Sequence, residues 1–385
     1  MLLDTRPIDL EKNKKEKAEM LYLRGKCMDY LPEYTKQAEE NLSKSIKLMP
    51  TKKDAWDALG HVYWKKQDLE QAKKCFEGSL DQDENNKVAL RNLSMVYRML
   101  TTSSNGEPID AEERKKNYKN SIALANKAIA LDMADSQNWY VLGNAHLTNF
   151  FVNNESTREL ESALKAYAQT EKNLKEPNPD LFFNRATILE YLERYNEAMA
   201  DFQKAHTIDP NLGADKKVEK MIGFVSRAYN AIANKGRLKT NRLIDMVKSI
   251  PTEFTFGGKS EEQLKIVDIS QLQSGENNGL MVSTKVVNSL DKEVDVPMCF
   301  LLVDHKHNFC VTSIYHTSKA LLDKIRSGSE ILIKNPHLVL VQLNFKGYQY
   351  TYQCLKVTDI TTVLVNGQNL IEQAAQSEVL SKTFS

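Results

Sequence analysis

The sequence predicts an α+β protein of several domains, in which an all-α solenoid of helical repeats is followed by a small β-barrel. Two observations support this fold class. Large and small apolar residues recur at a spacing of about 34 residues through residues 1–250, which is typical of stacked helix pairs. From residue 264 onward, β-branched runs replace that pattern. We therefore predict a repeat array with a capping helix at 1–250, a linker at 251–263, a β-domain at 264–370 and a flexible tail at 371–385.

One repeat is especially clear. Its first helix carries anchors at the spacing W-x2-L-G-x2-Y, namely Trp56, Leu59, Gly60 and Tyr63. Ala72 and Phe76 follow at the spacing of a second, packing helix. This is the pattern of a tetratricopeptide repeat, in which small residues let two antiparallel helices approach closely. Asp54 is predicted to cap the first helix.

The same pattern occurs at four further places, so that about six repeats are expected when a capping element is counted. These repeats have their first anchors at Leu21, Leu90, Trp139 and Phe182. Two polar stretches, Thr101 to Pro108 and Phe150 to Ser156, are predicted to be loop insertions. Residues 215–249 keep a helical period with more charge, as a capping element requires.

Beyond the linker, several segments alternate apolar with polar residues, which is the period of half-buried strands. Residues 304–308 are predicted to form a hairpin turn and residues 318–326 a short helix. Short strands interrupted by one helix favour an OB-fold barrel. The predicted strands are 264–269, 280–287, 299–303, 309–314, 330–333, 338–343, 348–357 and 361–365.

Composition argues against several classes of protein. The chain has 52 basic and 51 acidic residues, a net charge of +1, whereas a dedicated nucleic-acid or membrane binder usually has a basic excess. We therefore expect no direct DNA binding and no membrane partner. The five cysteines include no C-x-x-C pair, which predicts free thiols in a reducing compartment. Residues 1–20 lack the apolar run of a signal peptide, so the predicted location is cytoplasmic, with nuclear entry left open.

No catalytic constellation is found, because the sequence contains no Gly-rich phosphate loop, no H-E-x-x-H and no G-x-S-x-G. We predict a non-enzymatic protein without cofactor or metal. His305, His307 and Cys310 could supply three ligands of a zinc site, but solvated hairpin histidines are the favoured interpretation. The alternating tyrosines at 348, 350 and 352 are suited to base stacking, yet their domain lacks the positive charge to attract phosphates. A packed β-surface is therefore favoured there.

The concave groove of the repeats is the predicted binding site. Counting from each repeat anchor places Arg98 on the concave face of repeat three and Asp180 on that of repeat five. Gln137, Tyr140 and Asn144 fall on the same face of repeat four. A peptide with neighbouring opposite charges would suit a cation and a carboxylate separated by an amide and an aromatic ring. The alternative is that Arg98 and Asp180 form pairs within the protein.

The first two repeats are also rich in lysine, which indicates either a solvated face or a surface that meets RNA phosphates. The lysines are Lys44, Lys47, Lys52, Lys53, Lys65 and Lys66.

Several stretches resemble the tetratricopeptide repeat protein 5 (Strap) family, which combines such repeats with an OB-fold. The resemblance spans most of the chain. The matching stretches are AEENLSK at 38–44, VYWKK at 62–66, NLSMV at 92–96, WYVLGN at 139–144, AYAQ at 166–169, NPD at 178–180, NRAT at 184–187, KG at 346–347 and LVNG at 364–367.

The resemblance implies a cytosolic adaptor that recognises the Met-Arg-Glu start of nascent tubulin at the ribosome and promotes decay of the tubulin message. Its implied partners are the nascent tubulin peptide, the ribosome and an mRNA-decay adaptor. The family is also described as a nuclear stress-response cofactor for a histone acetyltransferase and an actin-nucleating coactivator, which is the rival interpretation. A chaperone adaptor is less favoured, because its carboxylate clamp requires a lysine at position 5 of repeat one, where this chain has Tyr22.

The resemblance also implies roles for particular residues. Arg98 matches the groove arginine suited to the peptide glutamate, and Asp180 matches the groove aspartate suited to the peptide arginine. Asn184 lies in a matching stretch and is counted with the peptide-binding residues. Lys47 matches the lysine that faces the ribosome, and Lys44 lies in the same stretch. A further acidic groove residue of the family has no counterpart at residues 211–214.

Overall fold

The computed structural model describes residues 14–102, 107–153, 157–253, 264–290, 297–315 and 325–369. The chain divides into two compact units, of which the first ends at Glu176 and the second begins at Pro177. The predicted tail at 371–385 and most of the predicted linker lie outside the described residues. Within the described part, no helix is both long enough and apolar enough to cross a membrane.

The first unit consists of antiparallel helix pairs, one pair for each predicted repeat, in the order that the sequence predicts. Within each pair the apolar face of one helix packs against that of the next, and the buried residues form successive core clusters along the repeats. The helices are α1 (Lys14–Asp29), α2 (Lys36–Leu48), α3 (Lys53–Lys65), α4 (Leu69–Gln82), α5 (Lys87–Met99), α6 (Ala111–Leu131), α7 (Ser136–Asn153) and α8 (Thr157–Lys172).

Glycines on the first helices let the paired helices pack closely. A Cβ atom on Gly60 would lie 2.6 Å from Cε1 of Phe76, and one on Gly143 would lie 2.4 Å from Cε1 of Tyr167. Both aromatic side chains are fully buried. Because such contacts are shorter than atoms tolerate, only glycine allows these rings to fill the space between the helices.

Two local predictions in this unit were wrong. Helix α3 already begins at Lys53, so Asp54 lies inside its first turn and does not cap it. The carboxylate there still has a favourable interaction with the helix dipole. The predicted loop from Phe150 does not begin there, since α7 continues to Asn153. Phe150 and Phe151 are both buried, and their apolar packing keeps this segment helical despite its polar neighbours.

The second unit begins with helices and continues as a β-sheet, which confirms the predicted fold class. The helices are α9 (Pro179–Tyr191), α10 (Tyr195–Ile208), α11 (Ala214–Ala233) and α12 (Thr240–Lys248). The strands are β1 (Lys265–Val267), β2 (Gly275–Glu276), β3 (Leu280–Ser289), β4 (Met298–Val303), β5 (Phe309–Ile314), β6 (Glu330–Lys334), β7 (His337–Phe345), β8 (Tyr348–Val357), β9 (Val363–Val365) and β10 (Gln368–Asn369).

The sheet has the order β10-β9-β6-β3-β4-β5-β8-β7-β2, with β1 paired to β3. Strands β1 and β3 are parallel, as are β5 and β8, and the other pairs are antiparallel. No pairing among the described strands joins β2 to β10, so the sheet is open and OB-like in this part of the chain. Its core contains Phe300, Leu302 and Ile331, each with no exposed surface.

The predicted hairpin turn between β4 and β5 is present, and the buried carboxylate of Asp304 organises it. Oδ1 of Asp304 accepts hydrogen bonds from the backbone N–H groups of Lys306 at 2.9 Å and Asn308 at 2.8 Å. Nδ1 of His305 lies 3.1 Å from Oδ1 of Asp268, and Cys310 is buried. Among the described residues, no group of three or more His, Cys, Asp or Glu side chains has metal-binding geometry. The predicted helix at 318–326 falls almost wholly outside them.

The tyrosines of β8 are largely packed. Tyr352 is buried, and the ring of Tyr350 lies 5.4 Å from that of Tyr229 on α11, centroid to centroid. Tyr348 stacks on Tyr350 at 6.4 Å and is the most exposed of the three. Helix packing therefore occupies much of the face considered for base stacking.

The turn between α9 and α10 is fixed to the sheet. The hydroxyl of Tyr315 donates a hydrogen bond to the backbone carbonyl of Tyr191 at 2.8 Å. Nζ of Lys356 donates to the carbonyl of Leu192 at 3.3 Å and lies 4.0 Å from Oε2 of Glu193. The last repeat and the sheet thus share polar contacts as well as the packing of Tyr191 against Tyr315, whose ring centroids lie 4.9 Å apart.

Glu193 should make the stability of this unit depend on pH. Burial raises the pKa of its carboxyl above the ordinary value of 4.5, with Lys356 opposing the shift, and Oε2 has no hydrogen-bond partner among the described residues. The stability that this group contributes is complete below pH 4.5 and is lost as pH rises through the folded-state pKa. We expect the free energy of unfolding of wild type, relative to Glu193→Gln, to fall as pH rises above 4.5.

Denaturant unfolding of both proteins at a series of pH values measures this difference. The slope of the free energy of unfolding against pH is compared between the two proteins. This slope reports the titration of Glu193, whereas the lost contact with Lys356 changes the absolute stability. The same pH dependence in both proteins would contradict the assignment.

Candidate functional site

The first unit contains a site built around Arg98, in the last turn of α5. Nε of Arg98 is buried and has no hydrogen-bond partner among the described residues. Burial lowers the pKa of the guanidinium below its ordinary 12.5, and the nearby Tyr167, Tyr140 and Tyr118 act in the opposite direction. A buried N–H donor of a cation is costly when it has no acceptor, so this site favours an anionic ligand.

Tyr140 and Asn144 lie one turn apart on α7, so both project from the same face of that helix. The hydroxyl of Tyr167, on α8, donates a hydrogen bond to Oδ1 of Asn144 at 2.6 Å. The rings of Tyr140 and Tyr167 are tilted, with centroids 6.2 Å apart. The close approach of Tyr167 to Gly143 thus positions an aromatic and amide surface near Arg98.

Gln137 is exposed at the beginning of α7, where its backbone N–H donates to Oδ1 of Asp135 at 3.0 Å. This hydrogen bond fixes the start of the helix through the backbone of Gln137 and does not involve its side chain. Gln137, Tyr140 and Asn144 are successive groove candidates on one helix, and spacing alone was enough to propose them together.

Asp180 and Asn184 belong to the second unit. Asn178 caps α9 by accepting a hydrogen bond from the backbone N–H of Leu181 at 3.1 Å, and Pro179 occupies the first turn. Asp180 follows in that turn, exposed and without an ion-pair partner among the residues that the structure describes. Asn184 is half-buried one turn further along. The capping motif therefore presents the Asp180 carboxylate to solvent on a rigid helix end.

A buried ion pair stabilises the same helix. Nε and Nη2 of Arg185 donate to the two carboxylate oxygens of Asp201 on α10, at 2.5 and 2.8 Å. The bidentate geometry joins the two helices of repeat five.

The lysine-rich face is mostly neutralised. Every one of the six lysines except Lys47 lies within 4.0 Å of a carboxylate; the acidic partners are Glu40, Glu19, Asp83, Asp29 and Glu39. Lys44 has the longest of these contacts, at 4.0 Å from Glu40 one turn away. Lys47 is exposed on α2, with no such partner among the described residues. Among these six lysines, Lys47 is thus the one most available to bind an anionic partner, and the face as a whole is not a broad basic surface.

Sequence reasoning missed Tyr118 and Arg114, which both lie on the second helix of repeat three. Tyr118 on α6 is buried, and both Arg98 and Arg114 act on its hydroxyl. Tyr118 and Arg114 are four residues apart on a helix, a spacing that indicates a shared face. They belong to a second helix, whereas the groove positions were counted only on first helices.

Comparison with known proteins matches both parts of the chain to family descriptions. Residues 263–379 match "Tetratricopeptide repeat protein 5 OB fold domain", which confirms the OB-fold. Residues 53–86 and 179–212 each match "Tetratricopeptide repeat".

Curated relatives match over nearly the whole chain. The tetratricopeptide repeat protein 5 of Homo sapiens is 34% identical over 381 residues, covering 96% of this chain and 84% of the relative. That of Mus musculus is 36% identical, covering 93% of this chain and 82% of the relative. Proteins built from these repeats are typically adaptors rather than enzymes. The chain therefore belongs to the tetratricopeptide repeat protein 5 family and is a repeat adaptor that binds peptide or protein partners.

Proposed function

We propose that this adaptor recognises the Met-Arg-Glu segment at the start of nascent tubulin on the ribosome and promotes decay of the tubulin message. Family membership and the chemistry of the candidate residues support this proposal. The identity of the ligand is implied by the sequence resemblance. The charges of Arg98 and Asp180 are complementary to those of that ligand.

The observation that carries the proposal is the Arg98 guanidinium, whose buried Nε lacks an acceptor among the described residues. A peptide glutamate would provide that acceptor in a partly dry site, where charge-assisted hydrogen bonds are worth about 1.5–3 kcal/mol each. Tyr140 offers an adjacent aromatic surface for the aliphatic stem of a peptide side chain.

Asp180 supplies the complementary charge for the peptide arginine. Its carboxylate is exposed and uncommitted in the first turn of α9, so pairing with a ligand requires no ion pair to be broken among the described residues. The rigid helix end limits the entropy lost when the pair forms.

A charge-swapped peptide tests this arrangement. Wild-type protein is titrated with labelled Met-Arg-Glu-Ile, with Met-Glu-Arg-Ile and with Met-Arg-Gln-Ile. We expect Met-Arg-Glu-Ile to bind most tightly. Met-Glu-Arg-Ile would place like charges opposite Arg98 and Asp180, and Met-Arg-Gln-Ile would remove the negative charge proposed to pair with Arg98. Equal affinity for Met-Arg-Glu-Ile and Met-Glu-Arg-Ile would refute recognition by ordered charges.

Lys47 should act at the ribosome and not in the peptide groove. Lys47→Glu is expected to weaken co-sedimentation with tubulin-translating ribosomes, because phosphate contacts depend on positive charge, while affinity for the free peptide stays unchanged. Lys127→Glu, another exposed lysine of the first unit, is the matched control. A loss of peptide affinity in Lys47→Glu, or undiminished sedimentation, would count against this role.

A further inference from the structure

We propose that the outer edge of β7, from Val339 to Leu343, binds an extended, uncharged peptide segment of another protein, which adds a strand to the sheet. We call this stretch the β7 edge. The inference goes beyond the proposed function, because none of the candidate groove residues lies on a strand. It gives the sheet of the second unit a partner of its own.

The first support is the direction of the backbone groups of β7. A two-residue turn, Lys346-Gly347, joins β7 to β8, and Phe345 pairs with Tyr348 across it. In such a hairpin the two residues that flank the turn exchange hydrogen bonds, so every second residue of β7 from there directs its N–H and C=O groups away from β8. These outward-facing residues are Leu338, Leu340, Gln342 and Asn344.

Both ends of this row of outward groups already have partners. At one end Leu338 pairs with Gly275 on β2. At the other end the N–H of Asn344 donates a hydrogen bond to Oδ1 of Asn196 on α10, at 2.6 Å. The hydrogen bond of Asn344 also agrees with the outward direction expected from the turn. Strand β2 and helix α10 thus limit the open part of the edge on either side.

The middle of the row is open. The outward N–H and C=O groups of Leu340 and Gln342 have no hydrogen-bond partner among the described residues. Both residues are exposed. The gap from Val339 to Leu343 is about 17 Å long at the rise of a β-strand. It can therefore accept a short segment in extended conformation.

The second support is that nothing in the sequence of β7 protects this gap from another strand. Edge strands of natural proteins are usually blunted by charged side chains, proline or a bulge. From Leu338 to Phe345 the strand has no charged residue and no proline, and its pairing with β8 keeps one register throughout. Leu340 is 53% exposed. Such an edge is suited to strand addition, in which main-chain hydrogen bonds give the affinity.

The side chains beside the gap favour an uncharged segment. Leu340 pairs with Gln353 on β8, and Gln342 pairs with Thr351, so four exposed side chains without charge lie together on one face of the ladder. An apolar or β-branched residue opposite Leu340 would cover its exposed surface. A charged residue there would lose water without gaining a partner of opposite sign.

The size of the gap favours a peptide segment over a second copy of this chain. Two outward-facing residues offer about four main-chain hydrogen bonds. A stable interface between folded proteins buries about 1,200 Å² or more, which pairing over this short stretch does not provide. An extended segment needs only the open stretch between β2 and Asn196.

Amide hydrogen exchange of the full chain, followed by NMR, tests whether the edge is open. The N–H groups of Leu340 and Gln342 should exchange about a hundred-fold faster than those of Val341 and Leu343, which face β8. Equally slow exchange at all four residues in the free protein would show that the chain covers its own edge, and the proposal would be wrong.

A neutral probe peptide then tests binding. The probe is labelled, end-blocked Thr-Val-Thr-Val-Thr, and its control is the same peptide methylated at every backbone nitrogen. We expect wild type to bind the probe about ten-fold more tightly than the control. Gln342→Pro, which removes an outward N–H, should weaken binding of the probe about ten-fold, whereas Gln342→Ala keeps the backbone and should bind as wild type does.

Several outcomes would overturn the proposal. They are failure of the probe to bind at millimolar concentration, equal binding of the probe and its methylated control, and equal binding by Gln342→Pro and Gln342→Ala. A wild-type dimer that Gln342→Pro abolishes, measured by sedimentation, would assign the edge to a second copy instead. None of these measurements involves Arg98, so the proposed function stands or fails separately.

A second variant keeps the test decisive if circular dichroism shows that Gln342→Pro is unfolded. Leu340→Lys leaves the backbone unchanged and places a charge on the edge, as natural edge strands do. It should weaken binding of the probe about ten-fold. Binding equal to that of wild type would contradict strand addition at this edge.

Discussion

Replacing Arg98 by glutamate is expected to weaken binding of the Met-Arg-Glu-Ile peptide by about 2–5 kcal/mol. The change removes a cation from a partly dry site and sets a carboxylate against the peptide glutamate, so that attraction becomes repulsion. The burial of Arg98 limits screening by water, which makes the repulsion larger than it would be on an open surface. Titration of the labelled peptide by fluorescence polarisation measures the loss.

The matched control for this change is Arg158→Glu, which alters net charge equally at an exposed position of the same unit. It should leave the affinity unchanged, because its charge is exposed and screened by solvent. Arg98→Glu should also melt close to wild type, since Arg98 makes no hydrogen bond through Nε that folding would lose. Equal affinities of Arg98→Glu and Arg158→Glu would eliminate the proposed site.

The second large effect is expected for Tyr167→Ala, which should lower the free energy of unfolding of the first unit by about 3–5 kcal/mol. Tyr167 is fully buried and its ring lies directly against Gly143, so truncation leaves a cavity between α7 and α8. The same change removes the hydroxyl that binds Asn144 and should weaken peptide binding as well. Denaturant unfolding followed by helical circular dichroism measures the stability.

Tyr167→Phe separates packing from hydrogen bonding at this position. It keeps the ring and removes the hydroxyl together with its 2.6 Å hydrogen bond to Oδ1 of Asn144, so we expect the free energy of unfolding to fall by about 1 kcal/mol. A large loss in Tyr167→Phe, or a small one in Tyr167→Ala, would show that packing against Gly143 does not set the stability of this helix pair.

How far the candidate site follows from sequence differs from residue to residue. Repeat spacing placed Tyr140 and Asn144 together on α7, because residues four apart on a helix necessarily share a face. The same counting placed Arg98 on the concave face. It could not predict that the guanidinium is buried, with an Nε unpaired among the described residues, because that depends on contacts with α6, α7 and α8. Arg114 and Tyr118 stayed unnoticed because they lie on a second helix, whereas the groove positions are counted on first helices.

The lysine-rich face also shows what sequence alone cannot predict. Six lysines in two repeats predict a basic surface, but the charge that remains depends on which carboxylates lie within reach. Lys53 and Asp83 are thirty residues apart in sequence and meet only because their helices pack side by side. Ion pairing within and between helices leaves Lys47 as the candidate with the least competition.

The sequence by itself determined the succession of helix pairs and the change to strands, because both follow from local periodicity and from small residues that permit close packing. It also determined which side chains share a helix face. Only the tertiary structure decided that Phe150 stays in a helix, that Glu193 is buried beside Lys356, and that Nε of Arg98 is buried without a hydrogen-bond partner among the described residues. The physical reason is that desolvation and pairing arise from contacts between elements distant in the chain, whereas periodicity is a property of each element alone.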